Sequence, residues 1–312
     1  MSSPRRTLLI TGATGKQGGA LITSLVGSPS TASLFTIVAV SRDPASPSAK
    51  RLAALGPHVS VLAGDLADPA DLLRRAEAAA GSPVWGVYSV QINSPAEQQQ
   101  GKALVDVAAS HGVRHFVYSS GDRGGPERSA VDATDVANFA AKFHIERHLM
   151  AACAASGGEK PQMTYTILRP VSFFENLDAS VHGRGFARMW EQMGASKLQM
   201  VSTADIGRVA AQSFARAGDA AFRNAALTLA GDELTQAEAD AVFREVLGFA
   251  MPLAPCPVAS AVKFFLKGTV GDMFRWFERE GYGADVEECR RLYPGMRDFR
   301  AWIEENKGLW VR

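Results

Sequence analysis

Residues 12–18 read Gly-Ala-Thr-Gly-Lys-Gln-Gly, a spacing of three glycines that can hold a pyrophosphate. Gly12 permits a tight turn, Gly15 lets the backbone approach the phosphates, and Gly18 lets a helix pack closely on a strand. A helix opening at such a turn presents free N–H groups and its positive dipole end to an anion. A glycine pattern alone is weak evidence. Here an apolar run precedes it and a helical pattern follows it, which is the context the chemistry requires. Arg42 and Asp43 stand at the tip of a second apolar run. An acid there would bind the ribose 2′-hydroxyl of NAD, whereas an arginine suits the 2′-phosphate of NADP and can stack on adenine. Arg42 therefore favours NADP(H) over NAD(H), with Asp43 keeping NAD(H) as the minority reading. Asp65, after a third apolar run, has two readings: beside the adenine amino group, or as a local cap.

These residues need strand ends to hold them. Apolar runs at 7–11, 36–40, 59–63, 84–90, 115–119 and 164–168 alternate with Ala- and Leu-rich helical stretches such as 71–80 and 98–110. Such alternation means parallel strands joined by right-handed helical crossovers, and runs apolar throughout are strands buried on both faces. The fold class is α/β, a Rossmann-type doubly wound parallel sheet with a smaller, mainly helical C-terminal lobe. Beyond Arg169-Pro170 the alternation fades. Residues 203–216 read as a helix capped by Ser202 or Thr203, 225–230 as a strand, and 234–247 as a helix with Thr235 and Glu238 near its start. A Pro-rich stretch at 251–257 leads into helical segments rich in Phe and Trp. The polar stretches 28–33 and 43–48 read as surface loops. The expected division is a dinucleotide-binding domain over 1–170, rejoined by about 200–232. Residues 171–200 and 233–312 form the lobe, covering the cofactor cleft.

The 312 residues, 46% of them hydrophobic, suffice for a large core. With 33 basic against 32 acidic residues, no global field draws nucleic acid or an anionic membrane, so direct binding to either is not expected. Cys153, Cys256 and Cys289 stand far apart without metal-ligand spacing, so no metal is expected and a reducing compartment fits. No window reaches a membrane span, and the first residues lack the apolar stretch of a signal peptide. The expectation is a cytoplasmic protein, with the nucleus as a second compartment.

Taken together, residues 11–18, 41–44, 64–68, 97–105, 115–120, 142–146, 168–177, 205–210, 229–235 and 276–302 resemble the NmrA-like family of atypical short-chain dehydrogenase/reductases. The most specific pieces are Arg169-Pro170-Val171-Ser172-Phe173-Phe174-Glu175-Asn176 and the closing Trp276-Phe277, Gly281-Tyr282, Tyr293-Pro294-Gly295-Met296 and Trp302. The resemblance implies a Rossmann domain with a small helical lobe and a preference for NADP(H). Members include nitrogen-repression regulators, redox sensors that bind partner proteins, and reductases. The cofactor site read from the turn and the resemblance together comprises Gly12, Thr14, Gly15, Lys16, Gln17, Gly18, Arg42, Asp65, Leu66, Ser89, Gln91, Lys142, Pro170, Phe173 and Asn176.

Reductases of that superfamily use Tyr-x-x-x-Lys on a helix, the tyrosine supplying the proton and the lysine lowering its pKa. Here the matching segment is Asn138-Phe139-Ala140-Ala141-Lys142, and an amide has no titratable proton to give. Lys142 can still hydrogen-bond the nicotinamide ribose; its other reading is an exposed helix lysine. Thr134, Asn138 and Lys142 share a helix face, with His144 pointing elsewhere. Ser119 and Ser120 fall in the superfamily's catalytic-serine region, though serines at strand ends more often form turns. Tyr118 and Tyr165 read as core. His182, in a loop after the Phe173-Phe174 motif, can enter the cleft or lie at the surface. No catalyst is assigned; Lys142, Ser119 and His182 are the candidates. An iminium carbon takes hydride without a protein acid, so the missing tyrosine counts more against ketone reduction than against reduction as such. Two functions result: a cofactor sensor or regulator acting through a protein partner, or a reductase of a small activated acceptor bound under the lobe.

Overall fold

The computed structural model describes residues 4–155, 162–255 and 270–310. Cys256 and the end of the Pro-rich stretch lie outside the described residues. The chain divides into two compact units. The first takes in Met1–Ser120, Ala141–Leu168 and Ile206–Leu227; the second takes in Gly121–Ala140, Arg169–Asp205 and Thr228–Arg312.

The first unit carries most of a seven-stranded sheet. Its strands are β1 (Arg6–Ile10), β2 (Phe35–Ser41), β3 (Val59–Ala63), β4 (Val84–Ser89), β5 (His115–Ser119), β6 (Thr164–Pro170) and β9 (Ala225–Leu229), in the order β3-β2-β1-β4-β5-β6-β9. The pairs from β3 through β6 are all parallel. Leu8, Leu9, Ile10, Val38, Val87 and Phe116 are fully buried, as unbroken apolar runs require. The chain runs outward one way from β1 to β2 and β3, and the other way from β4 to β6. The carboxyl ends of β1 and β4 therefore flank the switch point, where open α/β sheets bind ligands.

The crossover helices are α1 (Lys16–Gly27), α2 (Pro29–Ala32), α3 (Pro47–Ala53), α4 (Pro69–Ala80) and α5 (Glu97–His111), followed by α6 (Gly125–Val131) and α7 (Ala137–Ala155). α4 starts two residues before the apolar pattern, because Asp68 accepts the Asp71 N–H at 2.9 Å and Pro69 fits the first helical position. The stretches 28–33 and 43–48, expected as loops, contribute to the short helices α2 and α3 for the same reason. Pro29 and Pro47 open them, and Ser46 Oγ accepts from Ala49 N at 3.3 Å.

The second unit holds α8 (Val181–Glu191), α10 (Gln236–Leu247), α11 (Val270–Arg279), α12 (Val286–Leu292) and α13 (Phe299–Glu305); α9 (Thr203–Ala215) runs from it into the first unit. It also holds a second sheet of β7 (Ser172–Phe173), β8 (Leu198–Val201) and β10 (Asp232–Leu234), in the order β10-β8-β7. That sheet was not expected: its strands have two to four residues, too few to show a period of two. Leu234, read as helical, belongs to β10. α10 begins after Thr235, whose hydroxyl and Glu238 form a reciprocal capping box. The core is aromatic. Phe174 stacks on Trp302 with centroids 5.5 Å apart, and Phe139 meets Trp276 edge-on at 5.0 Å. Residues 121–140, read from sequence with the sheet, group with this unit. Asp122 Oδ1 there accepts the N–H groups of Gly124 (3.0 Å) and Gly283 (3.1 Å), and buried Arg123 donates to the carbonyls of Gly121 (2.9 Å) and Ser129 (2.6 Å).

Candidate functional site

The glycine turn is set by its neighbours. Thr11 Oγ1 donates to the Tyr88 carbonyl at 3.1 Å and accepts from Val90 N at 3.0 Å, tying the ends of β1 and β4 together. Gly12 has φ +57°, and a Cβ there would lie 2.6 Å from Val90 Cγ1. At Gly18 a Cβ would meet the Gly12 carbonyl oxygen at 2.4 Å. Both glycines are demanded by the fold. Gly15 differs: its φ is −84°, which any residue adopts, and its Cβ would come no closer than 3.2 Å to Gly12 O. What it leaves open is the mouth of α1. No side chain caps that helix from its N-cap position and its first turn has no acid, as a helix end that meets an anion requires. The cradle fits an anion.

A cavity of about 530 Å³ opens from this turn. Gly12, Thr14 and Gly15 line it on one side, Arg42 comes from the β2 tip, and Asp65 and Leu66 follow β3. Six of the predicted residues thus share one wall. Ile92, Ser94 and Gln100, which sequence reasoning missed, complete the lining with Thr11, Val40, Ser41 and Gly64. Arg42 is exposed and makes no hydrogen bond or ion pair among the described residues. Asp43, by contrast, spends a carboxylate oxygen on Ala45 N at 2.9 Å. Asp65 both lines the cavity and caps locally, accepting Ala67 N at 2.8 Å.

Lys16, Gln17, Gly18, Ser89, Gln91 and Lys142 are outside that lining. Gln17 Oε1 accepts from Ser119 Oγ at 2.6 Å and from the Tyr88 hydroxyl at 3.4 Å. Burial pushes the Tyr88 phenol well above its ordinary pKa, so it stays a neutral donor. Ser119 is therefore a buried strand residue holding Gln17 rather than a turn former. Ser120 donates to Glu146, and Gln91 Nε2 donates to buried Ser89 Oγ at 2.7 Å.

Lys142 is not an exposed helix lysine. Its ammonium pairs with Glu97, the first residue of α5, and the two side chains are 14% and 1% exposed. Glu97 Oε2 has no partner among the described residues. Burial raises the Glu97 pKa, and Lys142 opposes that rise. Glu97 opens the 97–105 stretch that carries the family resemblance, but an acid opening a helix is ordinary and gives no sign of this pairing. Asn138 lies in the same helix, α7, four residues before Lys142 and half-buried. Thr134 does not share that helix face: it precedes the helix, with φ +63°.

The remaining predicted residues belong to the second unit. Pro170 ends β6, Phe173 ends β7, and Asn176 Nδ2 donates to Ser172 Oγ at 3.4 Å. His182 is exposed in the first turn of α8, not in a loop, because Ser180 Oγ accepts from Gly183 N and starts the helix. The motif around Phe174 builds the fold: Glu175 accepts from Thr203 N at 3.0 Å, Ser202 Oγ at 3.1 Å and Trp302 Nε1 at 3.2 Å. Among the described residues no cluster of three ligating side chains could hold a metal, and no helix is long and apolar enough to cross a membrane.

The NmrA-like family model matches residues 4–303. An NmrA-like family domain-containing oxidoreductase of Aspergillus hancockii is 40% identical over 130 residues, 39% of this chain and 35% of that protein. The matched stretch thus spans about a third of that curated relative's length. Among solved structures, the triphenylmethane reductase of Citrobacter sp., complexed with NADP(H), superposes with a TM-score of 0.70 at 17% identity, over 96% of this chain and 99% of that one. The negative transcriptional regulator NmrA, in complex with NADP, gives 0.69 at 17% identity, over 97% and 95%. Similarity at that identity shows the same fold, which serves a reductase and a regulator alike.

Proposed function

The chain belongs to the NmrA-like family, and we propose that it binds NADP(H) at the glycine turn and acts as a cofactor-responsive sensor or regulator through protein contacts. The observation that carries the cofactor reading is Arg42, an unpaired guanidinium lining the same cavity as Gly15. Pyrophosphate would rest on the α1 N-terminus, and the 2′-phosphate on Arg42. The sensor reading rests on the spent catalytic apparatus. Asn138 stands in the tyrosine position, the Ser119 hydroxyl is given to Gln17, and the Lys142 ammonium to Glu97. Arg42→Ala is expected to weaken NADPH binding by about 1.5–3 kcal/mol, the range for hydrogen bonds to charged groups, and to leave NADH binding unchanged. Titration calorimetry with both cofactors checks this; equal losses, or tighter NADH binding by the wild type, would overturn the preference.

A second reading is favoured by the oxidoreductase name of the Aspergillus hancockii relative and by the fold shared with the triphenylmethane reductase. It is reduction of an acceptor whose carbon takes hydride with no protein acid. The test follows NADPH absorbance over a panel of iminium, enone and quinone acceptors, with isotope transfer from labelled NADPH. Enzyme-dependent, saturable transfer replaces the sensor reading with the reductase; a silent panel is the outcome expected here.

A further inference from the structure

The geometry points to Arg75 as a second cation of the 2′-phosphate subsite, a specificity-determining residue that makes the site selective for a phosphate monoester dianion. The inference rests on the NADP(H) reading above. Next to Arg42 and Gly64 lies a cavity of about 340 Å³, whose wall is completed by Asp65, Ala67, Asp68, Asp71, Leu72 and Arg75. Arg42 and Arg75 are the two cations of that wall.

Three carboxylates also line it, and their bonds decide which donors of the wall are engaged. Asp65 accepts Ala67 N at 2.8 Å and Asp68 accepts Asp71 N at 2.9 Å, so both serve the turn and the helix start. Asp71 is taken mainly by Arg74, which binds its Oδ1; Arg75 reaches only Oδ2, at 3.3 Å. Arg75 is held from the other side, Nη2 donating to the Ala63 carbonyl at the end of β3 at 2.7 Å. A carbonyl neutralises no charge. A guanidinium carries five N–H donors, so one long ion-pair contact and one carbonyl bond leave it with donors to offer. Arg75 is thereby held on the same wall as Arg42 with N–H donors still to offer. A single arginine balances one charge, whereas a phosphate monoester carries about 1.5–2 negative charges at neutral pH. Two arginines on one wall offer N–H donors to more of its oxygens than one can.

The probes are 2′,5′-ADP and 5′-AMP, titrated calorimetrically into the full chain at fixed ionic strength. Wild type is expected to prefer 2′,5′-ADP. Arg75→Ala should lower 2′,5′-ADP affinity about tenfold, the worth of one charge-assisted hydrogen bond, while 5′-AMP affinity stays put. Arg75→Lys should recover part of the loss, and Arg42→Ala with Arg75→Ala should erase the preference. Arg75 is half-buried on α4, and far-UV circular dichroism checks that the variants fold. The proposal is overturned if Arg75→Ala binds 2′,5′-ADP as wild type does, or loses both probes equally, which would make Arg75 a packing residue of β3 and α4. If Arg42→Ala alone erases the preference and Arg75→Ala does nothing, the NADP(H) reading stands without Arg75. A wild type that does not distinguish the probes defeats both.

Discussion

Gly15→Val is expected to abolish binding of NADPH and NADH together, by more than about a hundredfold, while the protein stays folded. The valine side chain would occupy the space in which phosphate oxygens meet the first-turn N–H groups of α1. Losing two hydrogen bonds to a charged group, at about 1.5–3 kcal/mol each, corresponds to that factor or more. The strain asked of the backbone is small: φ at Gly15 is −84°, and the nearest atom to a Cβ is Gly12 O at 3.2 Å, which a shift of a few tenths of an ångström relieves. Gly18→Ala is the contrasting variant. Its Cβ would lie 2.4 Å from Gly12 O and 2.8 Å from Gly12 C, both backbone atoms that cannot step aside. It should lower the melting temperature and weaken binding only as a consequence. The measurement is calorimetric titration beside thermal unfolding for both variants. Normal cofactor affinity in Gly15→Val would reduce the turn to a structural βα connection.

The contrast between those two glycines also shows what was legible in the sequence. The turn, the six apolar strands and Arg42 could be read because each depends on local order: a spacing, an unbroken apolar run, a residue type at a strand tip. The roles of Ser119 and Lys142 could not. Their partners, Gln17 and Glu97, lie 102 and 45 residues away in sequence, and only the sheet order brings them together. The same holds for Ile92, in the β4–α5 connection, and Gln100, in the first turn of α5, both on the cavity wall with no local pattern that says so. In the second unit the misreadings have a different origin. β7, β8 and β10 are too short for a period to appear, and the start of α8 depends on one serine hydroxyl rather than on hydrophobic pattern. The segment from Arg169 to Asn176 was legible as a signature but not as a role; its Phe174 and Glu175 serve the aromatic core.

The buried pair of Glu97 and Lys142 should make itself felt in stability as well as in the site. Lys142→Met leaves a carboxyl with no exposure and no compensating charge. Breaking a buried pair by removing one partner costs about 3–5 kcal/mol while the remaining group is ionised. The pH dependence follows from the direction of the Glu97 shift. Burial raises its pKa in the fold even with Lys142 present, and removing the lysine removes what opposed the rise. The folded state then holds the proton more tightly than the unfolded chain, whose glutamate titrates near about 4.3. Stability is therefore unpenalised below that value and falls as pH rises from it toward the folded pKa, because the unfolded chain gives up its proton first. Denaturant unfolding should find Lys142→Met several kcal/mol below wild type at pH 7.5 and much closer to it at pH 4.5. Adding Glu97→Gln to Lys142→Met should flatten that pH dependence and restore most of the loss, since an amide has no proton to retain. Glu97→Gln alone keeps an acceptor for Lys142 and should cost less than Lys142→Met at pH 7.5. A Lys142→Met deficit that is the same at both pH values, or two single losses that simply add in the double variant, would show that the pair is not coupled. The lysine would then owe its place on α7 to something other than Glu97.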